Sequence, residues 1–162
     1  MDRGRWLVTN DSPKRKLRLR EHPFDLLNHG PLTTVRLPGH SERLVALLDT
    51  GADSYFISKD VAERAGLEVI GCEKDTQGLF GQAEPMPIYN GGLILVDAGD
   101  LLIPGELIGC CLEGIHVVLG RPLLPRSTMC YRGRTGEVDL YIEETFDPES
   151  LLRNSARFGQ AG

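Results

Sequence analysis

No stretch of this 162-residue chain reaches the roughly 18 to 20 uninterrupted apolar residues of a membrane-spanning helix, so no membrane partner is expected. The basic start has no apolar h-region, which excludes the pattern of a secretory signal and makes the cytoplasm the expected location. Cys72, Cys110, Cys111 and Cys130 show no CxxC spacing and two of them are neighbours, so zinc and disulfides are not expected and buried free thiols are. His22, His29, His40 and His116 are not spaced as ligand pairs; they read as structural or surface residues, and no metal or other cofactor is expected. No Ser-His-Asp, Cys-His or phosphate-loop pattern is present. Nor is the chain basic overall: 18 Lys+Arg against 23 Asp+Glu give a formal charge of -5, which argues against nucleic acid as a partner.

What remains is the composition of an ordinary globular protein, 41% hydrophobic and 25% charged, long enough for one domain with a real core. Its charge is uneven. Arg3, Arg5, Lys14, Arg15, Lys16, Arg18 and Arg20 crowd the start, and with Pro13 and Pro23 they make residues 1–30 read as a basic, partly disordered N-terminal arm. That arm is the one hint of an acidic partner or RNA. At the other end, Asp147-Pro148 pairs a helix cap with proline at the first helical position, so residues 146–162 read as a closing helix, over 149–157, and a tail.

Between the two ends, residues 31–145 alternate short apolar strands with turn residues, the signature of an all-β domain. Strands are expected over 32–37, 43–48, 54–57, 67–72, 88–96, 101–103, 106–112 and about 115–119, with a last hairpin of 129–132 and 137–142. Pro38-Gly39-His40, Asn90-Gly91-Gly92 and Pro104-Gly105 read as breaks. Ser58 is placed to cap a short helix over 59–65, closed by Gly66 in the left-handed conformation.

One stretch conflicts with plain packing. Leu47-Leu48 runs directly into Asp49-Thr50-Gly51-Ala52-Asp53. A charge placed behind buried apolar residues costs several kcal/mol unless it is paired, hydrogen-bonded or protonated. Gly51 lets the backbone turn tightly and Thr50 can lock the loop through its hydroxyl, so Asp49 would be held rigidly. About thirty residues on, Gly78-Leu79-Phe80-Gly81 sets two apolar residues between glycines, as a mobile hairpin tip does. About seventy residues on, the apolar run of residues 115–119 ends in Gly120-Arg121, a glycine suited to close packing beside the first loop.

This order of motifs, over roughly residues 30–143, resembles the retropepsin family of aspartic proteases. The resemblance implies a closed barrel, one lobe per chain, active as a homodimer on protein or peptide substrates. It implies that Asp49 is the catalytic aspartate, that the Thr50 hydroxyl bonds to the partner chain and that the Gly51 carbonyl faces the substrate backbone. Ala52, Asp53, Gly78, Leu79, Phe80 and Gly81 then border the substrate, the last four as a flap. Arg121, following Gly120, would form an ion pair with Asp53 that braces the loop. Pro122 departs from the Asn or Asp usual after Gly-Arg, and the chain is longer than a minimal viral enzyme, which points to the cellular or bacterial branch. Physical chemistry reaches the dimer separately: there is one Asp-Thr-Gly, whereas two carboxylates about 3 Å apart are needed to share a proton and activate water. The resulting expectation is an aspartic endopeptidase. The alternative is a non-catalytic module that holds a peptide or partner on the same dimeric barrel.

Overall fold

The computed structural model describes residues 14–20, 23–73 and 85–144. Among these residues ten strands carry the fold: β1 (Lys14–Arg20), β2 (Leu32–Arg36), β3 (Leu44–Leu48), β4 (Tyr55–Ser58), β5 (Val69–Glu73), β6 (Met86–Leu95), β7 (Leu101–Cys110), β8 (Val117–Leu119), β9 (Ser127–Arg132) and β10 (Glu137–Glu143). Two short α-helices join them, α1 (Pro23–His29) and α2 (Lys59–Arg64), with 3-10 turns at Val96–Ala98 and Arg121–Arg126.

The larger sheet runs β2-β3-β8-β4-β7-β6-β5, and β2 also pairs with β6, so six strands close on themselves while β5 hangs on the outside of β6. Closure comes from Val35 opposite Leu95 and Arg36 opposite Ile94. The period-two burial of β2 and β3 sends Val35, Leu44, Ala46 and Leu48 inward to meet Ile57, Leu93, Leu95, Leu107 and Val117. Each such large side chain contributes about 1.5–3 kcal/mol by leaving water. The all-β, closed-barrel expectation holds.

Three local expectations do not. Asn90-Gly91-Gly92 and Pro104-Gly105 lie inside continuous strands, with Gly91 opposite Gly105 and Gly92 opposite Pro104. These glycines serve close approach: a Cβ on Gly105 would stand 2.9 Å from the Tyr55 ring. The real break falls at residues 96–100, where Gly99 and Asp100 both take positive φ. Second, Ser58 occupies the helix-cap position of α2 but its hydroxyl makes no capping bond, although Gly66 does close the helix at φ 66. Third, Cys110 is buried, its thiol pushed up by burial to about 11, but Cys72, Cys111 and Cys130 are exposed.

Residues 14–20 and 23–29, expected within a partly disordered arm, form a strand and a helix. β1 pairs antiparallel with β10, and β10 with β9, making a three-stranded sheet. Leu17 and Leu19 turn inward beside Val138, Leu140 and Ile142. On the opposite face, Lys14 lies across from Glu143 and Arg18 across from Asp139. Asp139 is fully buried there: Arg18 donates to it through Nε at 2.6 Å and Nη2 at 3.0 Å, Arg132 through Nη1 at 2.5 Å, and Lys16 stands at 3.8 Å. Much of the early basic cluster is therefore used within the chain. Residues 1–13 and the helix expected over 149–157 lie outside the described residues.

Candidate active site

Strands β3 and β8 run parallel, with Leu48 beside Leu119. β8 in turn pairs antiparallel with β4, so it sits between the two strands that the loop at residues 49–54 connects. That loop must pass over the end of β8. Asp49 and Gly120 therefore leave neighbouring strands at the same end of the barrel, and the Asp49 N–H donates to the Leu119 carbonyl at 3.0 Å.

The loop then folds back on its own aspartate. The Gly51 N–H donates to Asp49 Oδ1 at 2.8 Å, and the Ala52 N–H to the Asp49 carbonyl at 3.2 Å. A Cβ on Gly51 would lie 3.1 Å from Asp49 Oδ1, so any side chain there would push against the carboxylate. Asp49 is half-buried, and among the described residues no cation lies within ion-pair distance of it and Oδ2 accepts no hydrogen bond. Thr50 is exposed and its hydroxyl has no partner among the described residues.

Gly120 is the floor of the loop. A Cβ at this position would fall 2.1 Å from the Ser54 carbonyl oxygen and 2.8 Å from that of Ala52, and both are backbone atoms that cannot swing away. Next to it, the Arg121 N–H donates to the Ala52 carbonyl at 2.8 Å. The expected ion pair between Asp53 and Arg121 is not formed; both side chains are exposed. An ion pair on an exposed surface contributes at most about 1 kcal/mol. A main-chain bond beside a glycine that fits only without a side chain fixes the loop more firmly.

Tyr55 follows the loop into the core, where burial pushes its hydroxyl up to about 12 against a small lowering by Arg126. Arg126 is itself buried at the end of the 3-10 turn after Gly120, donating to the Glu143 carbonyl at 2.6 Å, and its Nε has no partner among the described residues. His116 is structural: its Nδ1 accepts from the Val45 N–H at 3.1 Å. Gly78, Leu79, Phe80 and Gly81 lie outside the described residues, but β5 and β6 on either side pair up to Glu73 opposite Met86. Among the described residues, no group of three or more His, Cys, Asp and Glu side chains is placed to hold a metal ion, and no helix is long and apolar enough to cross a membrane.

The Asp139 cluster was the feature missed from the sequence. Its signal is there, in Lys16-Leu17-Arg18-Leu19 alternating with period two against Glu137, Asp139 and Tyr141.

A family model described as aspartyl protease matches residues 33–91. Among solved structures, the chain is similar to the retroviral protease-like domain of Ddi1 from Leishmania major, at 17% identity and a TM-score of 0.42, over 61% of this chain and 78% of that one. No curated protein matches significantly. The matched span, residues 33–91, includes Asp49-Thr50-Gly51 and is similar to the aspartyl proteases, which supports a protease-type function.

Proposed function

We propose that this protein is an aspartic endopeptidase in which two copies of the chain each supply one Asp49. The observation that carries the reading is the state of that carboxylate. It is held by its own loop through Oδ1, while Oδ2 has no partner among the described residues, at the end of a buried strand.

Two such carboxylates about 3 Å apart cannot both ionise, so the pair holds one proton between them. The ionised member takes a proton from a water molecule as its oxygen bonds to the peptide carbonyl carbon. The protonated member gives its proton to the carbonyl oxygen. Collapse of the tetrahedral carbon then breaks the C–N bond, and the amine leaves with a proton from the dyad. Thr50, whose hydroxyl has no partner among the described residues, would bond across the two loops. Gly51 and Ala52 offer backbone groups to an extended peptide, Asp53 borders it, and residues 78–81 would close over it and exclude water. No cofactor is needed for these steps.

The test is cleavage of a diverse peptide library from about pH 4 to 7.5, wild type beside Asp49→Asn, with sedimentation on the same samples. Cleavage by a dimer that the substitution abolishes, with fold and dimer intact, supports the reading. A well-folded dimer that cuts nothing at any pH overturns it in favour of a binding module.

A further inference from the structure

At the far end of the barrel from Asp49, an open cavity of about 570 Å³ is lined by Arg36, His40, Ser41, Arg43 and Asp100, with Gly39 and Val96 completing its wall. Three segments make it: the end of β2, the loop of residues 37–43 and the turn at residues 96–100. In the loop, the His40 N–H donates to the Leu37 carbonyl at 3.1 Å across Pro38 and Gly39, and Gly39 takes φ 80, a type II turn that brings His40 and Ser41 to the rim. β3 runs from here toward Asp49, about 20 Å away at about 3.3 Å per residue. None of the lining residues belongs to the candidate active site.

The charge in this cavity is not balanced. The register that sets Val35 opposite Leu44 brings Arg36 and Arg43 face to face one residue further on, and like charges directly opposite each other destabilise a sheet. Among the described residues, the one carboxylate within ion-pair distance of either is Asp100, whose Oδ1 stands 3.5 Å from Arg36 Nε. Arg43 has none: Glu42, its neighbour in sequence, is bonded instead to Arg64 at 3.2 Å. The chain as a whole carries a formal charge of -5, so an anion gathers here only through this local excess of positive charge.

We propose that this cavity binds the phosphate group of a small phosphomonoester. Guanidinium groups from two strands, with the Ser41 hydroxyl and a His40 ring nitrogen beside them, offer donors from several directions, which a tetrahedral dianion can accept together. A planar carboxylate is already satisfied by the fork of one arginine. The volume is that of a small-molecule site, so there is room for the group to which the phosphate is attached. Asp100 is the resident counter-charge that the phosphate replaces at Arg36. This site does not depend on the peptidase reading.

The test is calorimetric titration of the full chain at low ionic strength with three phosphate probes, inorganic phosphate, adenosine 5′-monophosphate and a phosphoserine peptide, and with adenosine and succinate as controls. Adenosine 5′-monophosphate should bind saturably, more tightly than inorganic phosphate and at least about tenfold more tightly than succinate, and adenosine should not bind. Arg36→Gln and Arg43→Gln should each weaken its binding about tenfold or more, and Asp100→Asn, which removes the competing negative charge, should tighten it. All three positions are at least partly exposed, so the variants should keep the circular dichroism spectrum of the wild type. Arg134→Gln, the same charge change in the exposed turn between β9 and β10, should leave the dissociation constant within about twofold.

No saturable binding of any phosphate probe to the folded chain overturns the site. So does binding that Arg134→Gln weakens as much as Arg43→Gln, which is general attraction to the surface. Tighter binding of the phosphoserine peptide than of adenosine 5′-monophosphate keeps the phosphate site and overturns a small molecule as its source.

Discussion

Asp49 and Asp139 both follow apolar residues on β-strands, and the protein treats them in opposite ways. Asp139 is fully buried and saturated: hydrogen bonds from Arg18, then Arg132, hold its carboxyl well below the usual carboxylate range, with Lys16 adding to the field. Asp49 is half-exposed and, among the described residues, receives one hydrogen bond on its carboxylate, from the N–H of Gly51 in its own loop. The first carboxylate has its partners already and holds three strands together. The second is oriented but left unsatisfied, which is the condition a carboxylate must be in to receive a water molecule and a second carboxylate. Within one chain, partners and burial together separate a structural acid from a candidate catalytic one.

Four substitutions test this contrast. Asp49→Asn keeps the shape and the loop bond but cannot share a proton, so peptide cleavage should fall at least about 10³-fold with an unchanged circular dichroism spectrum and denaturation midpoint. Gly120→Ala pushes a methyl group into two backbone carbonyl oxygens; chemical denaturation should show a loss of about 3 kcal/mol or more, and whatever folds should be inactive because the loop is displaced.

Asp139→Asn should do the reverse of Asp49→Asn, lowering the thermal midpoint at neutral pH while the folded fraction keeps its kcat. Its pH dependence has a definite sign. A carboxyl depressed in the folded state stabilises fully above its unfolded value near about 3.9, and that contribution is lost as pH falls from there toward the depressed folded value. The gap between wild type and Asp139→Asn should thus be flat from about pH 5 to 7 and close below about pH 4. A gap that persists unchanged into strong acid would mean that the Arg18 and Arg132 contacts are not what stabilises the sheet.

The smallest effect should come from Arg121→Gln. Because the loop is tied through the Arg121 N–H, not its guanidinium, stability should change by no more than about 0.5 kcal/mol and cleavage only slightly. A large loss in activity would restore the ion pair with Asp53 as a feature of the assembled site.

The sequence was most legible where one residue pattern had one physical solution. Leu47-Leu48 into Asp49-Thr50-Gly51 could only be a strand ending in a tight polar turn, and a β-branched run ending in Gly120 could only be a second strand closely packed against it. Both are seen, in register. Gly91, Gly92 and Gly105 misled because glycine answers two needs, a turn or a close approach, and only the position of Tyr55 decides between them. The Asp53–Arg121 ion pair failed for a related reason: residue identity suggests side-chain bonds, whereas the loop is held by main-chain groups that every sequence carries. The fate of the basic start depended on Asp139, more than a hundred residues away: the alternation at Lys16-Leu17-Arg18-Leu19 marks a strand, but only the fold pairs it with the strand that carries Asp139.

The pairing of β1 with β10 joins residues 121 positions apart, as in Arg18 with Asp139. Contacts that distant close a long loop and form slowly, after local structure. On a ribosome, Leu17 and Leu19 cannot find their places until residue 140 and its neighbours have been made, and β9 has no sheet to belong to before then. The three-stranded sheet is therefore the last part of the described fold to become possible. A growing chain could form much of its barrel, Asp49 loop included, while β1 still waits for the strand that carries Asp139, so the barrel has to hold its shape without that sheet.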